Sequence, residues 1–204
     1  EMSDLASVMT HALDLTTRLD RQSVLQTLVD SAVELAGCKY GALSVLDSEG
    51  ETLQFVFTGI DHWRAERIGP PPKGHGVFGE MQDEHYLIVN ELEGHPTRHP
   101  WPKHHPHMTS FLGCPIRIRD RVFGRLYLSD KPGGFTDEDG KHIELLAHAA
   151  AIAVENSRLY AESNARAQWI AASRAITTAL LEGTDEEEAL QLIAREMRRV
   201  SKAD

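Results

Sequence analysis

From Lys141 to Leu181 the chain runs without proline or glycine through apolar residues at helical spacing. Unbroken, such a helix is about 60 Å long, more than one small sheet can cover. It is therefore expected to leave the domain as a connector, in the manner of a parallel coiled coil. Thr136, followed by Asp137 and Asp139, supplies its N-terminal cap.

What precedes this helix reads as one compact unit. Leu5 to Ala36 carries helical periodicity, as one helix or as two broken near Leu19 to Gln22, and Gly37 stops it. Residues 40–47 and 52–58 hold β-formers on either side of Asp47-Ser48-Glu49-Gly50, which makes a hairpin. Residues 61–68 read as a short helix, Val77 to Met81 as a further helical turn, and Tyr86 to Val89 as a short strand. Residues 111–119 and 122–129 form a second hairpin, joined tightly at Asp120-Arg121. The order predicts an α+β fold, an antiparallel sheet flanked by helices.

Composition narrows the function. The formal charge is −10 and no basic block is long enough to neutralise a run of phosphates, which argues against nucleic acid. No apolar stretch is long enough to span a bilayer, and the acidic N-terminus lacks the order of a signal peptide, so the expected location is the cytoplasm and no membrane partner is expected. Cys38 and Cys114 stand apart, as core thiols would in a reducing compartment. Lys73 beside Gly74 and Gly76 lacks the spacing of a phosphate-binding loop.

The unusual segment is 94–110, with five histidines and four prolines and little periodicity. On residue chemistry alone His104, His105 and His107 are equivalent candidates for a metal, against the plainer alternative of solvated loop histidines. A zinc site is the competitor, since His95 and His99 are four apart, but Pro96 and Pro100 oppose a regular helix there.

Tyr127-Leu128-Ser129-Asp130-Lys131 followed by Phe135-Thr136-Asp137-Glu138-Asp139 resembles the end of a GAF domain. Gly59-Ile60-Asp61, Arg67-Ile68-Gly69, Pro72-Lys73-Gly74, His105-Pro106, Met108, Phe111-Leu112-Gly113, Phe123-Gly124 and Leu126-Tyr127-Leu128 resemble the first, haem-binding GAF domain of the actinobacterial DosS/DevS oxygen-sensing histidine kinases. Gln168-Trp169-Ile170 and Leu181-Glu182-Gly183-Thr184 extend the likeness along the chain. The resemblance implies b-type haem as cofactor, O₂, NO or CO as ligand, and a kinase core of the same chain with a response regulator as partners. A homodimer through helices is expected as well, from the long connector read as a coiled coil.

Carried over by residue, the resemblance places the haem-iron ligand on His105 and the distal hydrogen-bond donor on Tyr127. Phe55 and the loop Gly74-His75-Gly76 fall on positions that pack around the porphyrin. Ser44 stands where the family has an acid or a glycine beside the haem edge, and His75 stands where it has leucine. A phenol donor at Tyr127 would favour O₂ over CO, because bound O₂ is the more negatively charged ligand.

An internal echo bears on organisation. Thr16-Thr17-Arg18-Leu19 followed by Val24-Leu25-Gln26-Thr27-Leu28 resembles Thr177-Thr178-Ala179-Leu180 followed by Ala189-Leu190-Gln191-Leu192-Ile193. The expected division is a haem-binding GAF domain over 1–162, a helical connector over 163–183, and the opening helix of a second, truncated GAF domain over 184–204. With no kinase motif in sight, this stretch is expected to catalyse nothing itself, the parent being a sensor histidine kinase. The alternatives are a GAF domain for a cyclic nucleotide or other small metabolite without haem, a haem-free dimerisation module, and a haem that senses redox state.

Overall fold

The computed structural model describes residues 2–17, 21–69, 85–95, 103–119 and 121–201. The first periodic stretch forms two helices, α1 (Met2–Thr17) and α2 (Arg21–Ala36). A hairpin of β1 (Tyr40–Leu46) and β2 (Thr52–Thr58) follows, then α3 (His62–Ile68), β3 (Leu87–Val89) and a 3₁₀ turn at Leu92–Gly94. The second hairpin is β4 (Phe111–Ile118) and β5 (Arg121–Ser129), after which come α4 (Asp137–Leu181) and α5 (Glu186–Ser201). The turn expected over Val77 to Met81 lies outside the described residues.

The strands form one five-stranded sheet in the order β2-β1-β5-β4-β3, antiparallel throughout, so the α+β sheet flanked by helices is as expected. Side chains alternate across a strand, and the sheet therefore has two unlike faces. The inner face carries Leu43, Val45, Val56, Leu112, Cys114, Ile116, Leu126 and Leu128, which join α2 and the first turns of α4 in one apolar core. Each fully buried leucine here stabilises the fold by about 1.5–3 kcal/mol. The outer face carries a second, smaller cluster.

The start of α4 is fixed by a reciprocal cap. The Asp139 amide donates to Thr136 Oγ1 at 3.2 Å, and Asp139 Oδ2 accepts the Thr136 amide at 2.8 Å, an aspartate variant of the capping box. Asn90, just past β3, splints the segment ahead of it. Its Nδ2 donates to the Phe135 carbonyl at 2.9 Å and its Oδ1 accepts the Phe135 amide at 2.7 Å.

The chain divides into two compact units, Glu1–Asn156 and Ser157–Asp204. In the second, α4 ends at a turn in which the Thr184 amide donates to the Ala179 carbonyl at 3.2 Å. Gly183 makes this turn possible with a φ of +75°, a left-handed conformation that side chains disfavour.

Candidate functional site

The outer face is built by strand register. Tyr127 on β5 lies opposite Ala42 on β1 and Gly113 on β4, and Arg125 lies opposite Ser44 and Pro115. Phe55 on β2 faces Ser44, and Phe111 on β4 lies opposite Val89 on β3. Tyr127, Phe111, Val89 and Leu92 form the buried centre of this cluster, with Ala42, Phe55, Leu87 and Met108 packed against it. The rings of Phe111 and Tyr127 are 6.2 Å apart and tilted. The result is an apolar platform with a phenol in its middle.

Tyr127 is buried, and loss of water raises its pKa, outweighing the opposing effects of Ser44 and Arg125. It therefore stays a neutral phenol, able to donate, throughout the physiological range. Ser44 is 1% exposed, and its Oγ makes no hydrogen bond. It lies near enough to act on the Tyr127 hydroxyl without the geometry of a bond to it.

Beside the platform runs the segment from Lys103 to Ser110, which has no regular structure. It is held at both ends. On one side Arg64 of α3 donates from Nε to the His104 carbonyl at 3.0 Å, with His104 in a left-handed conformation at φ +71°. On the other, Asp130 Oδ1 accepts the Thr109 amide, and the Leu92 amide donates to the Thr109 carbonyl. Met108, between these anchors, reaches the apolar cluster.

The three neighbouring histidines that the sequence left equivalent are separated by this geometry. His104 is exposed. His107 is exposed and pairs with Glu93 at 2.7 Å through its Nε2. His105 is half-buried, and its Nδ1 lies 2.7 Å from the Pro106 carbonyl. A carbonyl only accepts, so Nδ1 carries the proton and the lone pair sits on Nε2, the tautomer that a metal takes. Burial lowers the His105 pKa, the hydrogen bond to Pro106 opposes that shift and the Arg64 charge adds to it, so the ring is neutral.

The remaining site residues are less informative. Gly74, His75 and Gly76 lie outside the described residues, as does His99. Among the described residues no three His, Cys, Asp or Glu side chains converge on a common point. A haem iron asks the protein for only one such ligand. Cys114 is buried and Cys38 half-buried, both free, and burial pushes their thiols up to about 12 and about 11. Sequence reasoning assigned no role to Arg64, Asp130 or Arg125. Asp130 was legible in principle, since an aspartate at a strand end before Lys-Pro-Gly-Gly is a residue type that tolerates a left-handed turn and bonds nearby amides.

Among the described residues no helix is long and apolar enough to cross a membrane. The chain's fold is similar to the GAF domain of a phosphoenolpyruvate-protein phosphotransferase from Coxiella burnetii, at 19% identity and a TM-score of 0.67 over 78% of this chain and 96% of that one. It is also similar to free methionine-R-sulfoxide reductase from Neisseria meningitidis, at 17% identity and 0.62 over 75% and 89%. A third relative is the GAF domain of a putative sensor histidine kinase from Pseudomonas syringae, at 18% identity and 0.57 over 81% and 94%. At these identities the likeness speaks for the fold. The sequence pattern of the GAF domain matches residues 18–155. Because that match covers more than half of the chain and the architecture agrees with it, this protein belongs to the GAF domain family.

Proposed function

We propose that this GAF domain is a sensor module whose ligand lies against the outer face of the sheet, and that the ligand is b-type haem held by His105. The reading joins the DosS/DevS resemblance to one structural observation. Of the three neighbouring histidines, His105 is the half-buried one, with its proton on Nδ1, on the segment whose Met108 packs against an apolar platform. When bound, haem supplies an iron whose open coordination position takes a diatomic gas. Tyr127 is the donor placed to sense that gas, and β4 and β5 carry the change to the helices.

The output passes to a kinase core of the same chain and a response regulator, in the cytoplasm. Dimerisation through helices is supported by Leu145, Ile152 and Leu159, exposed on α4 at intervals of seven.

A haem-free GAF domain for a small polar metabolite is the second reading. The family match supports it as far as a GAF domain of unspecified ligand, and the unsatisfied hydroxyl of Ser44 in the platform favours it further. An absorption spectrum of the purified protein, before and after reduction, decides between the two. A Soret band that shifts on reduction and again under CO supports haem. A colourless protein that takes up no added haemin sinks that reading and leaves the metabolite.

A further inference from the structure

We infer that Arg125 and Ser44, beside Tyr127, form an anion-accepting corner of the outer face, built for a carboxylate carried on a flat apolar ligand. This rests on the reading that the outer face is the ligand platform, and it adds the chemistry of the ligand's polar end.

Register brings the three together. Ser44 is paired with Arg125, and Tyr127 is one pair further along the same face, opposite Ala42. Directly opposed side chains start about 5 Å apart and diagonal ones about 7–8 Å apart, within reach of an arginine and a tyrosine. Ala42 and Gly113 flank Tyr127 across the sheet and keep the floor low, while the Phe55 and Phe111 rings stand at either side. That is a surface for a planar, apolar body.

Among the described residues the corner has donors and no resident anion. Arginine offers donors only, and the serine and tyrosine hydroxyls can each donate. Arg119, Arg158 and Arg199 each lie against a glutamate, whereas among the described residues no carboxylate lies within ion-pair distance of the half-buried Arg125. Ser44 Oγ is sealed from solvent and has no hydrogen-bond partner, a condition proteins seldom tolerate without a use for the group. The guanidinium also acts on the Tyr127 hydroxyl. A carboxylate seated against Arg125 gives the guanidinium and the Ser44 hydroxyl an acceptor, with the paired geometry that arginine favours. A haem propionate and the carboxylate of a free metabolite share this chemistry.

The test titrates the apoprotein with haemin and with haemin dimethyl ester, whose carboxylates are capped, following the Soret band. In parallel, thermal unfolding is followed with benzoate and with its neutral analogue benzamide. If haem is the source, wild type binds haemin roughly ten- to a hundred-fold more tightly than the ester, the worth of one charge-assisted hydrogen bond. Arg125→Gln closes most of that gap, and Arg125→Lys, which keeps the charge, retains part of it. Ser44→Ala raises the apoprotein midpoint by removing the unsatisfied hydroxyl, yet narrows the same gap, a pairing of effects that a merely structural serine would not show. If neither haem form binds, the haem reading fails on its own, and the corner stands on benzoate stabilising wild type but not Arg125→Gln, with benzamide inert. Equal affinity for haemin and its ester overturns the corner while leaving the haem reading intact. A protein that takes no haem and either ignores benzoate or responds to it equally without Arg125 overturns the corner too.

Discussion

Asp130 Oδ1 accepts the Thr109 amide at 2.8 Å and the Thr109 hydroxyl at 3.2 Å, tying the end of β5 to the segment that carries His105. Asp130 does so from a left-handed conformation at φ +61°. Asn tolerates that conformation and keeps the acceptor, so Asp130→Asn should unfold in urea almost as wild type does. Asp130→Gly keeps the backbone but loses both bonds, about 1–2 kcal/mol. Asp130→Ala should lose a further ~1 kcal/mol for its Cβ in the left-handed region. Equal stabilities for all three would show that the tie is idle.

His105→Ala should express as a folded protein that fails to retain haem, whereas His104→Ala and His107→Ala should keep it. The reason is positional, since His104 is exposed and His107 is already engaged by Glu93. Pyridine haemochrome assay of the three variants reads the outcome. Retention of haem with an unchanged spectrum in His105→Ala would move the ligand elsewhere.

Tyr127→Phe keeps the ring contact with Phe111 and removes only the hydroxyl. In haem-loaded protein O₂ should then leave roughly ten- to a hundred-fold faster, corresponding to about 1.5–3 kcal/mol, with CO changed much less. Stopped-flow dissociation of both gases separates this from a general loosening of the pocket, which would speed both alike.

Gly140 lies in the first turns of α4 with the Tyr86 ring against it, and a Cβ there would come within 2.3 Å of the ring carbon Cε2. The ring is held, because the Tyr86 hydroxyl donates to Asp137 Oδ1. Gly→Ala normally gains up to about 1 kcal/mol in a helix, but the overpacking here should cost about 1–3 kcal/mol and reverse the sign. In a Tyr86→Ala background the same substitution should become stabilising. A gain in both backgrounds would mean that the ring yields freely.

Asp139 sits with Lys131 Nζ at 2.6 and 2.7 Å from its two oxygens. Burial alone would raise its pKa, but the bonds from Lys131 and Thr136 outweigh burial and hold it below the ordinary carboxylate value. A lowered folded-state pKa makes its contribution complete above the unfolded value and lost as pH falls through the folded one. Asp139→Asn should therefore cost about 2 kcal/mol at neutral pH and flatten the acid limb of stability against pH. An unaltered acid limb would assign that limb to other groups.

Local pattern carried the elements, because apolar period and turn residues act within a few positions of the chain. The two hairpins, α3 and the start of α4 at Thr136 all lie within a residue or so of where the pattern puts them. Around Leu19 to Gln22 the pattern left one helix or two open, and the structure has two elements, α1 ending at Thr17 and α2 starting at Arg21. The outer face was legible only in part. Alternation places Ala42, Ser44, Tyr127 and Arg125 on one side of their strands, but register between strands distant in sequence sets Arg125 opposite Ser44. The differing environments of His104, His105 and His107 were beyond residue chemistry, since three imidazoles in one loop are alike until something orients them. Arg64 from α3, Glu93 from the 3₁₀ turn and Asp130 from β5 do that orienting across long stretches of chain, and such contacts exist only once the tertiary structure has brought those elements together.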